Sequence, residues 1–275
     1  MSLTIEAAYA LCSRAAGVGL LVSSAEMLTR VRDWGRGGPF DPVVMAVDRG
    51  GGHRRVPQAL ATTTGPLRLA LTLRLSAGLV LLLGADSRWA ITVGWGLAAA
   101  TTSFTRWRTR YGGEDGADQM LSIISTALAA GLLLDLGTST DGLDALALYF
   151  VGAQGCLAYA TAGIAKLVSP QWRSGAAIRG VLATRTHGMS APAHLVRRWP
   201  LLAVTACWTT IVFEAAFAVA PVLPGAALLV LFGVAASFHA VVAVTMGLNG
   251  FFWAFITTYP AIWYLNEAVT GFLGG

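Results

Sequence analysis

A chain of 275 residues that is 55% hydrophobic and only 12% charged, with a mean hydropathy of +0.64, has more apolar surface than a soluble domain of this size can bury. This composition excludes an ordinary soluble enzyme and predicts an integral membrane protein. The net charge of +5 is interpreted as a border of arginines at the membrane surface, because no nucleic-acid-binding module is recognisable in the sequence.

Eight apolar segments are long enough to be considered as membrane-crossing helices. They predict an all-α fold, namely a polytopic transmembrane bundle of about eight helices. Because the connections between the segments are short, a single domain over 1–275 is favoured. No cleavable signal peptide is expected, because the start of the chain lacks a basic region before its first apolar segment. The polar, Gly/Pro-rich connection 30–66 is expected to form an ordered re-entrant or surface loop. The eight segments are 5–28, 67–85, 89–105, 118–136, 143–168, 200–221, 223–247 and 250–268.

Arginine is unevenly distributed over the predicted connections. Fourteen arginines follow the first, third and fifth segments, whereas the opposite connections contain only Arg88. Because cytoplasmic loops carry the excess of basic residues, these three connections are predicted to face the cytoplasm of a bacterial cell, with both termini outside. The fourteen are Arg30, Arg32, Arg36, Arg49, Arg54, Arg55, Arg106, Arg108, Arg110, Arg173, Arg179, Arg185, Arg197 and Arg198.

Lys166, the only lysine of the chain, lies near the end of the fifth segment in YATAGIAKLVSPQW, 159–172. Ala162 and Gly163 precede it by about one turn and predict the close approach of a neighbouring helix or a ligand. A lysine that snorkels from the helix end to the headgroups would be an anchor. A lysine, unlike an arginine, can also lose its proton when it is desolvated, so a functional base is the alternative. The residues leave both interpretations open.

Two further ionisable residues, Glu214 and His239, lie in the middle of apolar segments. Ionisable groups in hydrocarbon are costly, so they are expected to face the interior of the bundle. Glu214 is predicted to be the counter-ion of Arg14, Arg74 or Lys166. For His239, a hydrogen bond between helices and a catalytic role are both compatible with the sequence.

The stretch RWRTRYGGEDGADQM, 106–120, combines arginines on alternate positions with a group of acids. The acids are compatible with capping of the helix that follows. They also match a loose acidic pattern that chelates magnesium for prenyl diphosphates, in which Glu114, Asp115 and Asp118 would hold the metal. The candidate substrate-binding residues of this stretch are Arg106, Arg108, Arg110, Tyr111, Glu114, Asp115, Asp118 and Gln119.

Three stretches resemble the membrane domain of vitamin K-dependent gamma-carboxylase and the wider bacterial group of HTTM proteins. YATAGIAKLVSPQWRSG is similar to that family's lysine-containing segment, with Trp172 in its tryptophan position. SFHAVVAVTMGLNGFFWAF is similar to its Phe-His helix, and FEAAFAV contains Glu214 where the family often has an acid inside a helix. The order of these stretches holds from about residue 70 to 265. At the entrance to the fourth helix the chain departs from the family, since Gly113, Glu114 and Asp115 stand where an Asn-His pair is usual.

The resemblance implies that Lys166 is the base, because the family's lysine in this segment deprotonates reduced vitamin K. It also implies a reduced quinone as a cofactor. The first functional hypothesis is therefore a membrane-embedded enzyme of bacterial specialised biosynthesis. In it Lys166 acts as the base, and Glu214 and His239 tune or relay protons. Its substrate would be a peptide or a small apolar or anionic molecule.

Two alternatives remain. One is a magnesium-dependent terpene cyclase that acts on a prenyl diphosphate through EDGAD. The other is a non-catalytic membrane partner of a soluble component in toxin-peptide maturation, in which Lys166 and Glu214 are structural. All three hypotheses place the chain in a lipid bilayer, and none involves nucleic acid.

Overall fold

A computed structural model describes residues 2–41, 63–109, 116–137, 142–184 and 189–274. The described residues form helices and connections without a strand, which confirms the predicted all-α class. The chain divides into two compact units, and each is described by itself. The N-terminal unit is Tyr9–Ala147, and the C-terminal unit combines Met1–Ala8 with Leu148–Gly275. The interpretation of 1–275 as a single domain stays a prediction.

Consecutive helices pack against each other in the N-terminal unit. Its elements are α1 Ile5–Thr29, a 3-10 turn Val31–Trp34, α2 Thr64–Leu83, α3 Arg88–Thr109, α4 Gly116–Gly137 and the start of α5 Leu143–Val168. Helix α1 passes α2 closely at Gly17, where an added Cβ would lie only 2.8 Å from the carbonyl oxygen of Gly78. Two small residues thus allow direct backbone contact between the two helices, as is common where membrane helices pack.

Three arginines in or at the ends of apolar helices of the N-terminal unit bind carboxylates. Arg14 binds Asp86 at 2.7 Å, and Arg74 binds Asp118 at 3.3 Å. At the start of α3, Arg88 contacts two carboxylates, those of Asp135 and Asp144. The cost of placing charges in apolar segments is therefore lowered by opposite charges within the same unit.

The C-terminal unit begins with the greater part of α5. It continues through α6 Pro170–Arg173, α7 Ala176–Leu182, α8 Ser190–Arg198, α9 Pro200–Ala216, a 3-10 helix Phe217–Val222, α10 Gly225–Met246, α11 Asn249–Ile256 and α12 Tyr259–Gly274. The first residues of the chain join this unit, since the Leu3 N–H donates to the Glu267 carboxylate at 2.7 Å. An apolar cluster around Tyr159, Phe217 and Leu228 forms its core.

Six of the described helices are long and apolar enough to cross a membrane, which supports a multi-pass membrane protein. The sequence predicts eight such segments, and all eight contain helix. The third, α3, is 22 residues long but is not among these six, because its second half is rich in threonine and arginine. The last predicted segment, 250–268, is divided between α11 and α12. These helices have 8 and 16 residues, and neither is long enough to be counted among the six. In α10, only 17% of the most apolar stretch is buried inside the protein, as expected for a helix surrounded by lipid.

The predicted helix 250–268 is wrong as a continuous element, since α11 ends at Ile256 and α12 begins at Tyr259. Pro260 explains the break, because proline has no amide N–H and therefore cannot donate the next helical hydrogen bond to the carbonyl of Ile256. The hydroxyls of Thr257 and Thr258 donate to the carbonyls of Trp253 and Phe255. The same two carbonyls also accept from the amides of Thr257 and Thr258, so each threonine bonds to the end of α11 through its hydroxyl and its amide.

The predicted ordered loop 30–66 is described at its two ends. Its first part contains the 3-10 turn, in which Trp34 stacks on Phe40 with ring centroids 4.6 Å apart. The Gly37 N–H donates to the Asp41 carboxylate at 2.8 Å, so this part is an ordered turn. Residues 42–62 lie outside the described part of the chain.

Candidate functional site

Lys166 and Glu214 form an ion pair within the C-terminal unit. The Lys166 ammonium lies 2.5 Å from Oε2 of Glu214, on α5 and α9 respectively. The lysine side chain is 19% exposed and the glutamate side chain 8% exposed, so both charges are largely removed from solvent. Of the three cations that the sequence allows as counter-ion, Lys166 is therefore the one in contact. A carboxylate and an amine buried at this distance can exchange a proton directly.

A glycine brings the two helices together at this pair. Gly163 lies one turn before Lys166, and a Cβ added there would lie 2.7 Å from the carbonyl carbon of Glu214 and closer still to the amide nitrogen of Ala215. The backbone of α9 thus lies against α5 at this level. The predicted close approach at Gly163 is confirmed, and its partner is the segment of α9 that contains Glu214.

Trp172 lies over the lysine. Helix α5 ends at Val168, Ser169 is the N-cap of the short helix α6, and Pro170 is the first residue of α6. Proline is well suited to a first helical position because no hydrogen bond is lost there. This turn places the Trp172 ring 5.0 Å from the Lys166 nitrogen, within the range of a cation–π contact. The sequence assigns Trp172 to substrate binding, and in the structure its ring contacts the ammonium group.

His239 belongs to a chain of polar groups in the same unit. The Tyr159 hydroxyl lies 2.8 Å from Nε2 of His239 and 3.1 Å from the hydroxyl of Tyr259. Tyr159 precedes Lys166 by seven residues, two turns of α5, so the two side chains share one face of that helix. Nδ1 of His239 is buried and makes no hydrogen bond to the described residues.

Aromatic rings surround this polar chain. Tyr159 stacks on Phe217 with centroids 4.0 Å apart, and His239 stacks on Phe255 at 4.6 Å. Phe213, the neighbour of Glu214, meets the edge of the Tyr159 ring. The aromatic cluster therefore extends along α5 and α9 toward the Lys166–Glu214 pair. A low-polarity environment of this kind strengthens every hydrogen bond and charge interaction within it.

Sequence reasoning missed Tyr159 and Tyr259 as members of the candidate site. The seven-residue spacing between Tyr159 and Lys166 was a usable signal, because it places both on one helical face. Tyr259 gave no such signal, since a tyrosine near the end of an apolar segment is typical of an interfacial aromatic.

The second group of predicted site residues belongs to the N-terminal unit. Arg108 is buried, and its guanidinium donates to the carbonyl of Trp34 at 2.7 Å, so it fastens the turn after α1. Arg106 is half-buried and Gln119 is exposed. Asp118, in the first turn of α4, binds Arg74. The other four predicted residues, Arg110, Tyr111, Glu114 and Asp115, lie outside the described residues.

The proposed magnesium ligands are thus described only in part. Among the described residues, no group of three His, Cys, Asp or Glu side chains could hold a metal ion. The one predicted ligand that is described, Asp118, lies beside a guanidinium. A positive partner opposes the approach of a cation to the same carboxylate.

The Arg74–Asp118 pair is expected to stabilise the N-terminal unit. Arg74 is 2% exposed and Asp118 33% exposed, so Asp118→Asn would leave a buried guanidinium without its charge partner. We expect a loss of about 2 kcal/mol in the free energy of unfolding, measured by denaturation of the detergent-solubilised protein. The matched control is Asp86→Asn, because Asp86 is 81% exposed in its pair with Arg14 and should contribute little. Equal effects of the two variants would contradict the structural role of Asp118.

The hydroxyl of Tyr159 gives a second test. Tyr159→Phe keeps the ring but removes its bonds to His239 and Tyr259. We expect destabilisation by about 1–3 kcal/mol, because two buried polar groups lose a partner. Tyr149→Phe is the control, since its ring also stacks in this unit, on Tyr264 at 5.1 Å, and its hydroxyl makes no hydrogen bond to the described residues. Similar unfolding curves for both variants would show that the polar chain contributes nothing.

Neither family models nor curated proteins nor solved structures gave a match to this chain.

Proposed function

We propose that this chain is a membrane-embedded enzyme in which Lys166 acts as a base and Glu214 as its proton partner. The observation that carries this proposal is the 2.5 Å contact between the two groups. It is joined by a cation–π contact with Trp172 and by a face of α5 that also contains Tyr159. The resemblance to the gamma-carboxylase-like HTTM group supports the same role for the lysine.

The pair provides a route by which an ammonium group becomes a base. In the ionised state, the Lys166 ammonium donates to the Glu214 carboxylate. Transfer of that proton to Glu214 yields a neutral amine and a neutral acid. The free amine can then accept a proton from a substrate. Arginine could not perform this step, because its guanidinium stays protonated.

The polar chain beyond the pair supplies the second part of the proposed site. His239 accepts from or donates to Tyr159 through Nε2, which leaves Nδ1 as the ring nitrogen without a bond to the described residues. A hydroxyl or carbonyl on an apolar ligand is the chemical group that would fit such an atom. The resemblance implies a reduced quinone, and a ring with polar oxygens at its edge matches this combination of Nδ1 and aromatic neighbours. When bound, a quinol would supply reducing equivalents.

The proposed substrate is a peptide or a small apolar or anionic molecule of bacterial specialised biosynthesis. On this view the Arg-rich connections, and with them the Lys166 end of α5, face the cytoplasm. The test is a comparison of peptide and metabolite profiles by mass spectrometry, in cells that express the chain with its neighbouring genes. A product that is present with the native chain and absent with Lys166→Ala supports an enzyme, provided that both proteins accumulate equally. Oxygen consumption by the purified protein with a reduced quinone tests the cofactor separately.

A non-catalytic membrane partner is the second candidate, and the ion pair itself favours it. Lys166 and Glu214 satisfy each other's charge, so their positions are explained without any reaction. In that case Lys166→Met together with Glu214→Leu would remove both charges and leave the biological activity unchanged. Loss of activity in this double variant, with unchanged protein level, would exclude the partner role.

A further inference from the structure

The connection between α5 and α9 has charge of one sign. Residues 167–213 contain five arginines and two histidines and neither aspartate nor glutamate. Four of these arginines are described, and all four are exposed: Arg173, Arg179, Arg197 and Arg198. None of the four forms an ion pair with the described carboxylates. The Nε of Arg179 donates to the carbonyl of Gly175, the N-cap of α7, and the Nε of Arg197 donates to the carbonyl of Ala193 within α8.

The described part of this connection forms a small folded layer. Helices α6, α7 and α8 pack against α9 and against one another. On the inner side, Leu182, Ala193 and Val196 are buried with Ala203 of α9. Because this layer has a core of its own, its arginines are held on structured elements.

Large apolar side chains are exposed beside these cations. Met189, Leu195 and Trp199 are each about half exposed, and Leu201 is 75% exposed. The guanidinium of Arg198 lies 5.9 Å from the centre of the Trp199 ring. A surface that places arginine, tryptophan and leucine together is typical of elements that lie at the boundary between headgroups and acyl chains.

We propose that α6, α7 and α8 form an arginine platform that binds the headgroups of acidic phospholipids. The arginines supply donors and positive charge for phosphate oxygens, and the apolar neighbours enter the upper acyl region. A dissolved anion would satisfy only the arginines and would leave the exposed leucine and tryptophan side chains in water. Since both kinds of side chain occur together, the lipid surface is the partner that satisfies both. This inference does not depend on any catalytic role of Lys166.

The test uses the full chain in detergent, titrated with phosphatidylglycerol or with phosphatidylcholine, and counts bound lipids by native mass spectrometry. The platform variant carries Arg173→Gln, Arg179→Gln, Arg197→Gln and Arg198→Gln. The control variant replaces four exposed arginines of the N-terminal unit, Arg30, Arg32, Arg36 and Arg68, with Gln. Both variants lose the same formal charge, so a general charge effect would be equal in the two.

We expect the platform variant to bind phosphatidylglycerol at least tenfold more weakly than the native chain, with a smaller change in the control. Phosphatidylcholine binding should not differ among the three proteins. Equal weakening in the two variants would overturn the proposal, as would equal affinity of the native chain for both lipids. Displacement of the bound lipid by excess inorganic phosphate would also overturn it, because the site would then recognise a free anion. Native-like melting of the platform variant shows that its binding defect is not a folding defect.

Discussion

Replacement of Lys166 by arginine is expected to abolish activity while the protein keeps its fold. Arginine retains the positive charge that Glu214 requires, so the buried carboxylate keeps a partner. It cannot release its proton, however, and therefore cannot act as a base. A general base typically contributes a factor of about 100 to 10,000 to the rate, so the product of the native chain should fall by at least about a hundredfold.

The anchor interpretation of the lysine predicts the opposite result. An arginine near the end of α5 would snorkel to the headgroups as well as lysine does, so Lys166→Arg would have native activity. The variant therefore separates two readings that the sequence leaves equally open. The measurement is the amount of product per amount of membrane-inserted protein, with the melting curve of the purified variant beside it. The matched control is Arg173→Lys, which exchanges the same two residue types at an exposed position nearby.

Lys166→Met complements this experiment because it changes stability as well. Removal of the ammonium leaves the Glu214 carboxylate buried without a cation, and such breaks cost about 3–5 kcal/mol in soluble proteins. Lys166→Arg should lack this penalty. Loss of activity that accompanies unfolding in both variants would contradict the base assignment, since the arginine variant would then fail for structural reasons.

The helices of this chain were largely predictable, because each apolar segment must satisfy its own backbone in a membrane. The break between α11 and α12 was not predicted, although Pro260 was visible in the sequence. Its effect was hidden by the continuous apolar pattern on both sides. A periodicity argument counts hydrophobic positions, whereas the break depends on the amide N–H that Pro260 lacks.

The partners within the candidate site were less predictable than the helices. Arg14, Arg74 and Lys166 all lie in apolar segments, so the sequence offered three counter-ions for Glu214 and no means of choosing among them. Which cation pairs with Glu214 depends on which helix packs against α9 at the height of Glu214. Gly163 has no side chain, so α5 can approach there and Lys166 becomes the partner. The bond from His239 to Tyr159 connects residues 80 positions apart, a distance at which a single sequence contains no pairing information.

Gly163→Ala is expected to disrupt the candidate site by separating the helices that form it. The added methyl group would meet the backbone of Glu214 and Ala215, which cannot rotate away as a side chain could. Overpacking of this kind usually costs about 1–3 kcal/mol, and a backbone obstacle places Gly163→Ala toward the upper end of that range. The expected result is a lower free energy of unfolding together with reduced activity, since movement of α9 also moves Glu214 away from Lys166.

Gly233→Ala is the matched control, because Gly233 lies inside α10 and an added Cβ there would meet nothing within 4 Å among the described residues beyond the neighbouring backbone of its own helix. Alanine is a better helix former than glycine by about 1 kcal/mol, so this variant should be neutral or slightly stabilised. Both variants add one methyl group to a membrane-spanning helix of the same unit, so the difference between their unfolding free energies isolates the contact with α9. If the two variants unfold alike, the backbone of α9 does not lie against Gly163. The Lys166–Glu214 contact would then have to be explained by the reach of the lysine side chain alone.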